Sequence, residues 1–136
     1  MIKPIMRDMM FLSQPSEEAT RADQQVITDL MDTLNAHLDG CVGMAANMIG
    51  VHKRIIVVRM GPVSMPMVNP VIVAKTGKYE AEEGCLSLLG VRKCTRWKEI
   101  EVSYHDASFL PRRQKYSGWI AQIIQHEIDH CNGVII

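Results

Sequence analysis

The chain has 136 residues with a formal net charge of +0; 47% are hydrophobic and 22% are charged, as in ordinary globular proteins. This length favours a single domain over residues 1–136, and the balanced charge argues against a nucleic-acid-binding protein. No apolar run is long enough to span a membrane, and charged residues and proline interrupt the first eight positions, so we expect a cytoplasmic protein without a signal peptide.

The first predicted element is a helix over residues 20–38. Its apolar residues recur at helical spacing, and Gly40 follows as a stop signal. Three extended segments come next. Residues 51–60 contain a β-branched run, residues 67–74 contain Pro70 and fit an edge or irregular strand, and residues 99–106 alternate between apolar and polar.

The last predicted element is a helix over residues 118–131, ending before Asn132 and Gly133. It is apolar nearly all round, which is typical of a buried helix. Its polar side chains therefore need an explanation. They are Gln122, Gln125, His126, Glu127, Asp129 and His130.

Residues 126–130 form a His-Glu-x-x-His motif. Histidines four apart lie one helical turn from each other, so His126 and His130 can bind one metal ion while Glu127 contacts a metal-bound water. The alternative is a pair of core histidines satisfied by backbone groups. Burying two histidines beside a carboxylate would be costly without a metal or partners, so the motif favours a metal site.

A catalytic site of this kind needs a third protein ligand. The six residues after His130 include no His, Asp or Glu, so the ligand must come from upstream. Cys85 is the best candidate and stands in the segment Glu-Glu-Gly-Cys-Leu-Ser at residues 82–87. The other three cysteines are interpreted as reduced thiols, mostly small core residues. Weaker alternatives remain open. They are His37, His52, His105, Glu82 and Glu83.

At these motifs the chain resembles the peptide deformylase family over nearly its whole length. The family's Glu-Gly-Cys-Leu-Ser stands intact at residues 83–87, and its Gln-His-Glu-x-Asp-His at residues 125–130. Its Gly-x-Gly-Leu-Ala-Ala-x-Gln is altered to Cys-Val-Gly-Met-Ala-Ala-Asn-Met at residues 41–48.

The resemblance implies an α+β fold, with antiparallel strands wrapped around a central buried helix that carries the His-Glu-x-x-His motif. It implies a hydrolase that removes the formyl group from N-formylmethionyl peptides of nascent proteins. The family's metal is generally Fe²⁺, and Zn²⁺ or Ni²⁺ can substitute. A thiolate with two imidazoles suits iron or zinc and does not decide between them.

The resemblance also assigns roles to individual residues. Cys85, His126 and His130 hold the metal ion, which lowers the pKa of its water. Glu127 takes the proton and passes it to the leaving amine, and the backbone N–H of Leu86 helps to hold the oxyanion.

The same resemblance maps a methionine pocket near Val42, Trp119 and Ile123, whereas Met44 is expected in the core. Gly43 would let the substrate backbone approach closely. Outside the pocket, Asp129 is expected to orient the metal histidines or the local backbone. Glu83 is expected to pair with Arg96 or another arginine.

Met48 is the main departure, because the family has a glutamine there that donates to the formyl oxygen. A thioether cannot donate, and losing one such donor typically costs about 10²–10³ in rate. Asn47 is not expected to substitute, because neighbours on an extended strand point to opposite faces. Cys41 replaces the family's first glycine. The chain ends at Ile136, so no C-terminal helix is expected for docking on the ribosome.

Three hypotheses follow. The first is a working deformylase, with low activity because of Met48. The second is a deformylase-like protein that binds metal and formyl peptides with weak or no turnover. The third is a small metalloprotease, which the intact Glu-Gly-Cys-Leu-Ser motif disfavours.

Overall fold

The computed structural model describes residues 1–85 and 88–134, without the side chains of residues 85, 88 and 89. Helices and strands both occur, and the strands pair antiparallel, which confirms the expected α+β class. The helices are α1 (Met9–Leu12), α2 (Gln24–Asn35) and α3 (Gly118–Cys131), with 3₁₀ turns at Arg21–Asp23 and Ala46–Ile49. The strands are β1 (Gly43–Ala45), β2 (Ile55–Met60), β3 (Val63–Cys85), β4 (Leu88–His105) and β5 (Pro111–Ser117).

The five strands form one sheet in chain order, and each neighbouring pair is antiparallel. Strands β3 and β4 form a long hairpin with register shifts at Val68/Val71, Ile72/Ala74 and Gly84/Cys85. Such irregularities bend a strand and increase its twist. The hairpin contacts the helix that bears the histidines through Glu83, which contacts His126, and Arg96, which contacts Asp129.

Strand β2 separates two hydrophobic clusters, because its successive side chains point to opposite faces. Ile56 and Val58 pack with the apolar side of α3, and Ile55 and Val57 pack with α2. Helix α3 packs against β1, β2, β4 and β5. Its burial explains why the sequence is apolar nearly all round this helix.

Helix α3 begins and ends where the sequence predicts. Helix α2 is shorter than the predicted range of 20–38: Thr20 and Asp23 form a capping box at its 3₁₀ entrance, and turns replace the helix after Asn35. Among the described residues, no helix is both long and apolar enough to cross a membrane.

The predicted strands are shorter than β3 and β4, and β5 was not predicted. The segment with Pro70 is irregular as expected, since the β3–β4 pairing skips Asn69 and Pro70 and Asn69 has a φ of 50°. However, β3 is not an edge strand, because it lies between β2 and β4. Arg54 donates to the Pro70 carbonyl, and Asn69 pairs with Ala19, so the irregular segment is held by side chains.

Candidate metal centre

The two motif histidines face each other on α3. Their Nε2 atoms lie 3.1 Å apart, and the rings tilt by 51° with centroids 4.8 Å apart. His130 is 1% exposed, and burial lowers its pKa to about 3. A neutral imidazole is the form that binds a metal ion, so burial already holds His130 in the binding form.

Glu127 lies beside the histidines. One ligand atom from each of His126, Glu127 and His130 falls within 4.8 Å of the others, and all three residues are buried. Burial raises the pKa of Glu127 to about 7, and its Oε1 has no hydrogen-bond partner among the described residues. A carboxyl group with this pKa can both take and give a proton near neutral pH.

Glu83 contacts the His126 ring at Nδ1, the nitrogen that does not face His130. Its Oε1 lies 2.7 Å from His126 Nδ1, which leaves Nε2 directed towards His130. A carboxylate behind a histidine fixes the ring orientation and the tautomer that a metal site needs. Glu83 therefore contacts a candidate ligand and is not itself in the metal-binding group.

Arg96 pairs with Glu83 in a bidentate ion pair, as expected, with Nη2–Oε1 at 2.7 Å and Nε–Oε2 at 2.9 Å. Gln122 also donates to Glu83, at 2.8 Å. Burial alone would raise the pKa of Glu83, but hydrogen bonds from His126, Arg96 and Gln122 together lower it to about 2. Glu83 therefore stays ionised at neutral pH.

Among the described residues, the Asp129 side chain bonds to Arg96 and not to either histidine ring. Its Oδ2 lies 2.7 Å from Arg96 Nη1, so it orients the arginine that holds Glu83. Asp129 therefore acts on His126 through two intervening residues, Arg96 and Glu83.

Two of the alternative third ligands, His37 and His52, contact backbone carbonyls instead. His37 Nδ1 lies 2.8 Å from the Thr33 carbonyl, and His52 Nε2 lies 2.9 Å from the Phe11 carbonyl. Neither His105 nor Glu82 belongs to the metal-binding group among the described residues. The predictions for the Cys85 side chain and for Leu86 lie outside the described residues.

A cavity of about 790 Å³ opens beside this group. Its lining includes all five predicted substrate-binding residues, which are Val42, Gly43, Met48, Trp119 and Ile123. A Cβ added to Gly43 would lie 2.6 Å from Ile123 Cγ2 and 3.0 Å from Glu127 Oε2, so any larger residue there would force the Ile123 side chain to shift. Trp119, which is 63% exposed, lies at the cavity rim.

Met48 lies in the wall of this cavity and is 1% exposed. It belongs to the 3₁₀ turn Ala46–Ile49, so the extended-strand argument about Asn47 was wrong in its geometry. Asn47 is still not a substitute donor in the cavity, because it does not line the cavity and its Nδ2 donates to the His130 carbonyl at 2.9 Å. Met44 is fully buried in the core, as expected.

Arg7 and Cys41 also line the cavity, and neither was among the predicted substrate-binding residues. Arg7 comes from the N-terminal segment, which is joined to the cavity wall by a hydrogen bond from Met6 N–H to the Met48 carbonyl. No local pattern marks Arg7. Cys41 also lines the cavity, and its thiol donates to the Gly43 carbonyl at 2.8 Å.

Comparisons with known proteins decide the family. The model of the polypeptide deformylase family matches residues 3–136. The chain belongs to the polypeptide deformylase family. A peptide deformylase of Clostridium beijerinckii is 57% identical over 136 residues, which cover both chains completely.

Solved peptide deformylases share the fold. The structure from Thermotoga maritima has a TM-score of 0.89 at 29% identity and covers 99% of this chain and 95% of its own. A class I type b peptide deformylase from Acinetobacter baumannii, solved with Met-Ala-Ser bound, has a TM-score of 0.87 at 25% identity. It covers 99% of this chain and 96% of its own.

The chain therefore has the peptide deformylase fold, with an antiparallel sheet plus helices, and is a metal-dependent deformylase, a hydrolase of protein biosynthesis. The alternative of an inactive, deformylase-like protein is not supported by these relatives. The metalloprotease hypothesis finds no support among them either.

Proposed function

We propose that the chain removes the formyl group from N-formylmethionyl ends of nascent proteins in the cytoplasm, in the cavity beside α3. The buried Glu127 carboxyl group carries this proposal. Its Oε1 has no partner among the described residues, its pKa is raised to about 7, and it lines the cavity next to His126. An unpaired buried carboxyl at a cavity wall is suited to moving a proton.

The residues present fit a metal ion. Cys85, His126 and His130 would hold it, with Fe²⁺ as the ion by family resemblance and Zn²⁺ or Ni²⁺ as substitutes. The two Nε2 atoms, which lie 3.1 Å apart, support the two histidines of this ligand set. When bound, the ion supplies a Lewis acid that makes water a nucleophile at neutral pH.

The protein's own residues then direct the proton and the substrate. Glu127 takes a proton from the attacking water and gives it to the leaving amine. The Leu86 N–H would stabilise the negative charge on the formyl oxygen, while Met48 offers no donor to that oxygen. Glu83 keeps His126 in the tautomer that presents Nε2.

The cavity suits a methionine side chain followed by an extended peptide. Val42, Trp119 and Ile123 would form its apolar walls, and Gly43 would leave room for the peptide backbone. The relative solved with Met-Ala-Ser bound supports this substrate class.

We also propose that residues 1–136 form one domain whose strands wrap around α3 as the central helix, which agrees with the packing of four strands on α3.

The test is a turnover assay on formyl-Met-Ala-Ser, with iron loaded without oxygen. Acetyl-Met-Ala-Ser and unblocked Met-Ala-Ser serve as matched controls, and released formate is measured. We expect formate from the formylated peptide and no cleavage of the controls. Cleavage between residues of the controls would indicate a peptidase, and no formate release by metal-loaded protein would contradict the proposal.

A further inference from the structure

The two glutamines of α3 differ in how fully their side-chain amides are paired. Gln125 is 3% exposed, and its Nε2 donates to the Trp97 carbonyl at 2.8 Å and to the Ala121 carbonyl at 3.0 Å. Its Oε1 accepts from Trp97 N–H at 2.8 Å. Gln122 is half-buried and lines the cavity. Gln125 therefore fastens α3 to β4, whereas Gln122 borders the space proposed for the substrate.

Two contacts fix the orientation of the Gln122 amide. Its Nε2 donates to Glu83 Oε2 at 2.8 Å, and the Tyr79 hydroxyl donates to its Oε1 at 3.3 Å. An ionised carboxylate only accepts hydrogen bonds, so the amide nitrogen must be the atom that meets Glu83. Burial raises the pKa of Tyr79, so its hydroxyl keeps the proton that it donates. The second N–H of Gln122 Nε2 has no acceptor in the part of the chain that the structure describes.

The proposed methionine pocket around this donor is otherwise apolar. Its walls are Val42, Trp119 and Ile123, and Ile123 directly follows Gln122 on α3. A bound side chain excludes water from these walls, and an N–H that loses its water without gaining an acceptor is unfavourable. We therefore expect the first side chain of a substrate to supply the missing acceptor.

The sulfoxide of methionine supplies a better acceptor than methionine itself. A thioether sulfur is a weak acceptor, whereas oxidation to the sulfoxide adds one polar oxygen to the same side chain. A wholly apolar pocket rejects such a group, because burying the oxygen without a donor is costly. A pocket with one N–H among apolar walls can accept it, and a cavity of about 790 Å³ has room for the added oxygen.

We propose that Gln122 is a specificity-determining residue: its second amide N–H donates to the first side chain of the substrate, so that the cavity accepts N-formylmethionine sulfoxide as well as N-formylmethionine. This inference rests on the proposed function and names its substrate class more closely. The sulfoxide oxygen is bound as an acceptor, and no bond to sulfur forms or breaks. Because the sulfoxide sulfur is a stereocentre and Gln122 is held in one orientation, one epimer should be preferred.

The first test compares kcat/KM for formate release from the two epimers of formyl-methionine sulfoxide-Ala-Ser with that from formyl-norleucyl-Ala-Ser. Norleucine has a methylene in place of sulfur and offers no acceptor. Gln122→Leu should lower the sulfoxide-to-norleucine ratio about tenfold for the preferred epimer, the rate equivalent of one hydrogen bond. The ratio cancels any change in metal loading, which matters because Gln122 also bonds Glu83. Tyr79→Phe is the matched control: it keeps the Gln122 N–H, removes the contact to Oε1 and should keep the parent's ratio.

The outcomes separate this inference from the proposed function. If formyl-Met-Ala-Ser is turned over but the ratio is the same in Gln122→Leu and in the parent, only the role of Gln122 is overturned. An equal fall of the ratio in Tyr79→Phe also overturns it, because that variant retains the donor. Absence of formate from every formylated peptide contradicts the proposed function itself.

A second measurement uses the parent protein and needs neither turnover nor a folded variant. Zn²⁺-loaded protein with ¹⁵N in its glutamine side chains is titrated with methionine sulfoxide-Ala-Ser and, separately, with norleucyl-Ala-Ser. One Nε2 proton of Gln122 should shift downfield with the sulfoxide peptide and not with the norleucine peptide. The Gln125 amide, whose two N–H groups are already paired, should not shift. No Gln122 shift with the sulfoxide peptide, or equal shifts with both peptides, would overturn the proposal.

Discussion

The two sides of α3 differ in how fully their polar groups are paired. On the side of the β3–β4 hairpin, His126 is held by Glu83, which Arg96 and Gln122 hold in turn. On the side of β1 and the 3₁₀ turn, Glu127 Oε1 and His130 Nδ1 have no partner among the described residues, and the wall is Met48.

This difference in pairing suggests different roles for the two sides of α3. A paired network in a buried setting fixes geometry, because each partner limits the others and removing one leaves a charge uncompensated. Unpaired buried groups cost free energy in the resting protein and are available to a substrate, a metal ion or a proton. The paired side therefore orients the site, and the unpaired side carries the reaction.

The largest effect is expected on the unpaired side. Glu127→Ala should lower turnover by about 10²–10⁴-fold, the usual contribution of general acid–base catalysis. Metal content should stay at the parent's level, because Glu127 is assigned the role of transferring a proton and is not assigned as a metal ligand. Steady-state kinetics on formyl-Met-Ala-Ser, with metal analysis on the same samples, measures both. Loss of the metal would show that Glu127 is a ligand.

On the paired side, Glu83→Gln should weaken metal binding about 10–100-fold. An amide has one acceptor oxygen, so a donor among His126, Arg96 and Gln122 loses its partner. Turnover per bound metal should change much less. Glu80→Gln is the control, since Glu80 is exposed on the same strand and bonds Thr95. Equal metal affinity in the two variants would refute the role of Glu83.

Met48→Gln should raise kcat/KM at least about tenfold, a cautious fraction of the usual effect of one oxyanion donor. Met48 Sδ lies 3.5 Å from Ala45 N–H, so a glutamine oxygen can accept that proton while its NH₂ faces the cavity. The gain should appear in kcat, because the charge forms in the transition state. Unchanged turnover, with matched metal content and melting temperature, would mean that another group already donates.

The smallest effect is a pH dependence of stability on the paired side. The pKa of Glu83 is lowered from 4.5 to about 2, so its ionised form stabilises the fold fully above pH 4.5. That stabilisation is lost as the pH falls towards 2. The melting temperature of metal-free parent protein should therefore approach that of Glu83→Gln over this range. A difference in melting temperature between the parent protein and Glu83→Gln that stays constant with pH would contradict the lowered pKa of Glu83.

The sequence predicted α3 and its motif well because the signals are local. Histidine spacing, an apolar helix and a glycine at each end all lie within residues 118–133. The pocket residues were predicted through family resemblance, and the structure brings all five to one cavity.

The contacts around the motif were harder to predict because they are distant in sequence. Glu83 and His126 are 43 residues apart, and their contact depends on the length and register of β3 and β4. Those strands exceed the predicted segments because their outer parts are exposed and lack the apolar alternation that marks a half-buried strand. The position of Met48 depends on a 3₁₀ turn that the pattern did not indicate.

The most direct test of the metal centre compares Cys85→Ser with Cys94→Ser after equal loading with iron under exclusion of oxygen. Cys94 is a half-buried thiol whose pKa burial raises to about 11, so it is a poor metal ligand and a matched control. We predict that Cys85→Ser retains little metal and that Cys94→Ser retains the parent's content. Equal metal content in the two variants would contradict the assignment of Cys85 with His126 and His130.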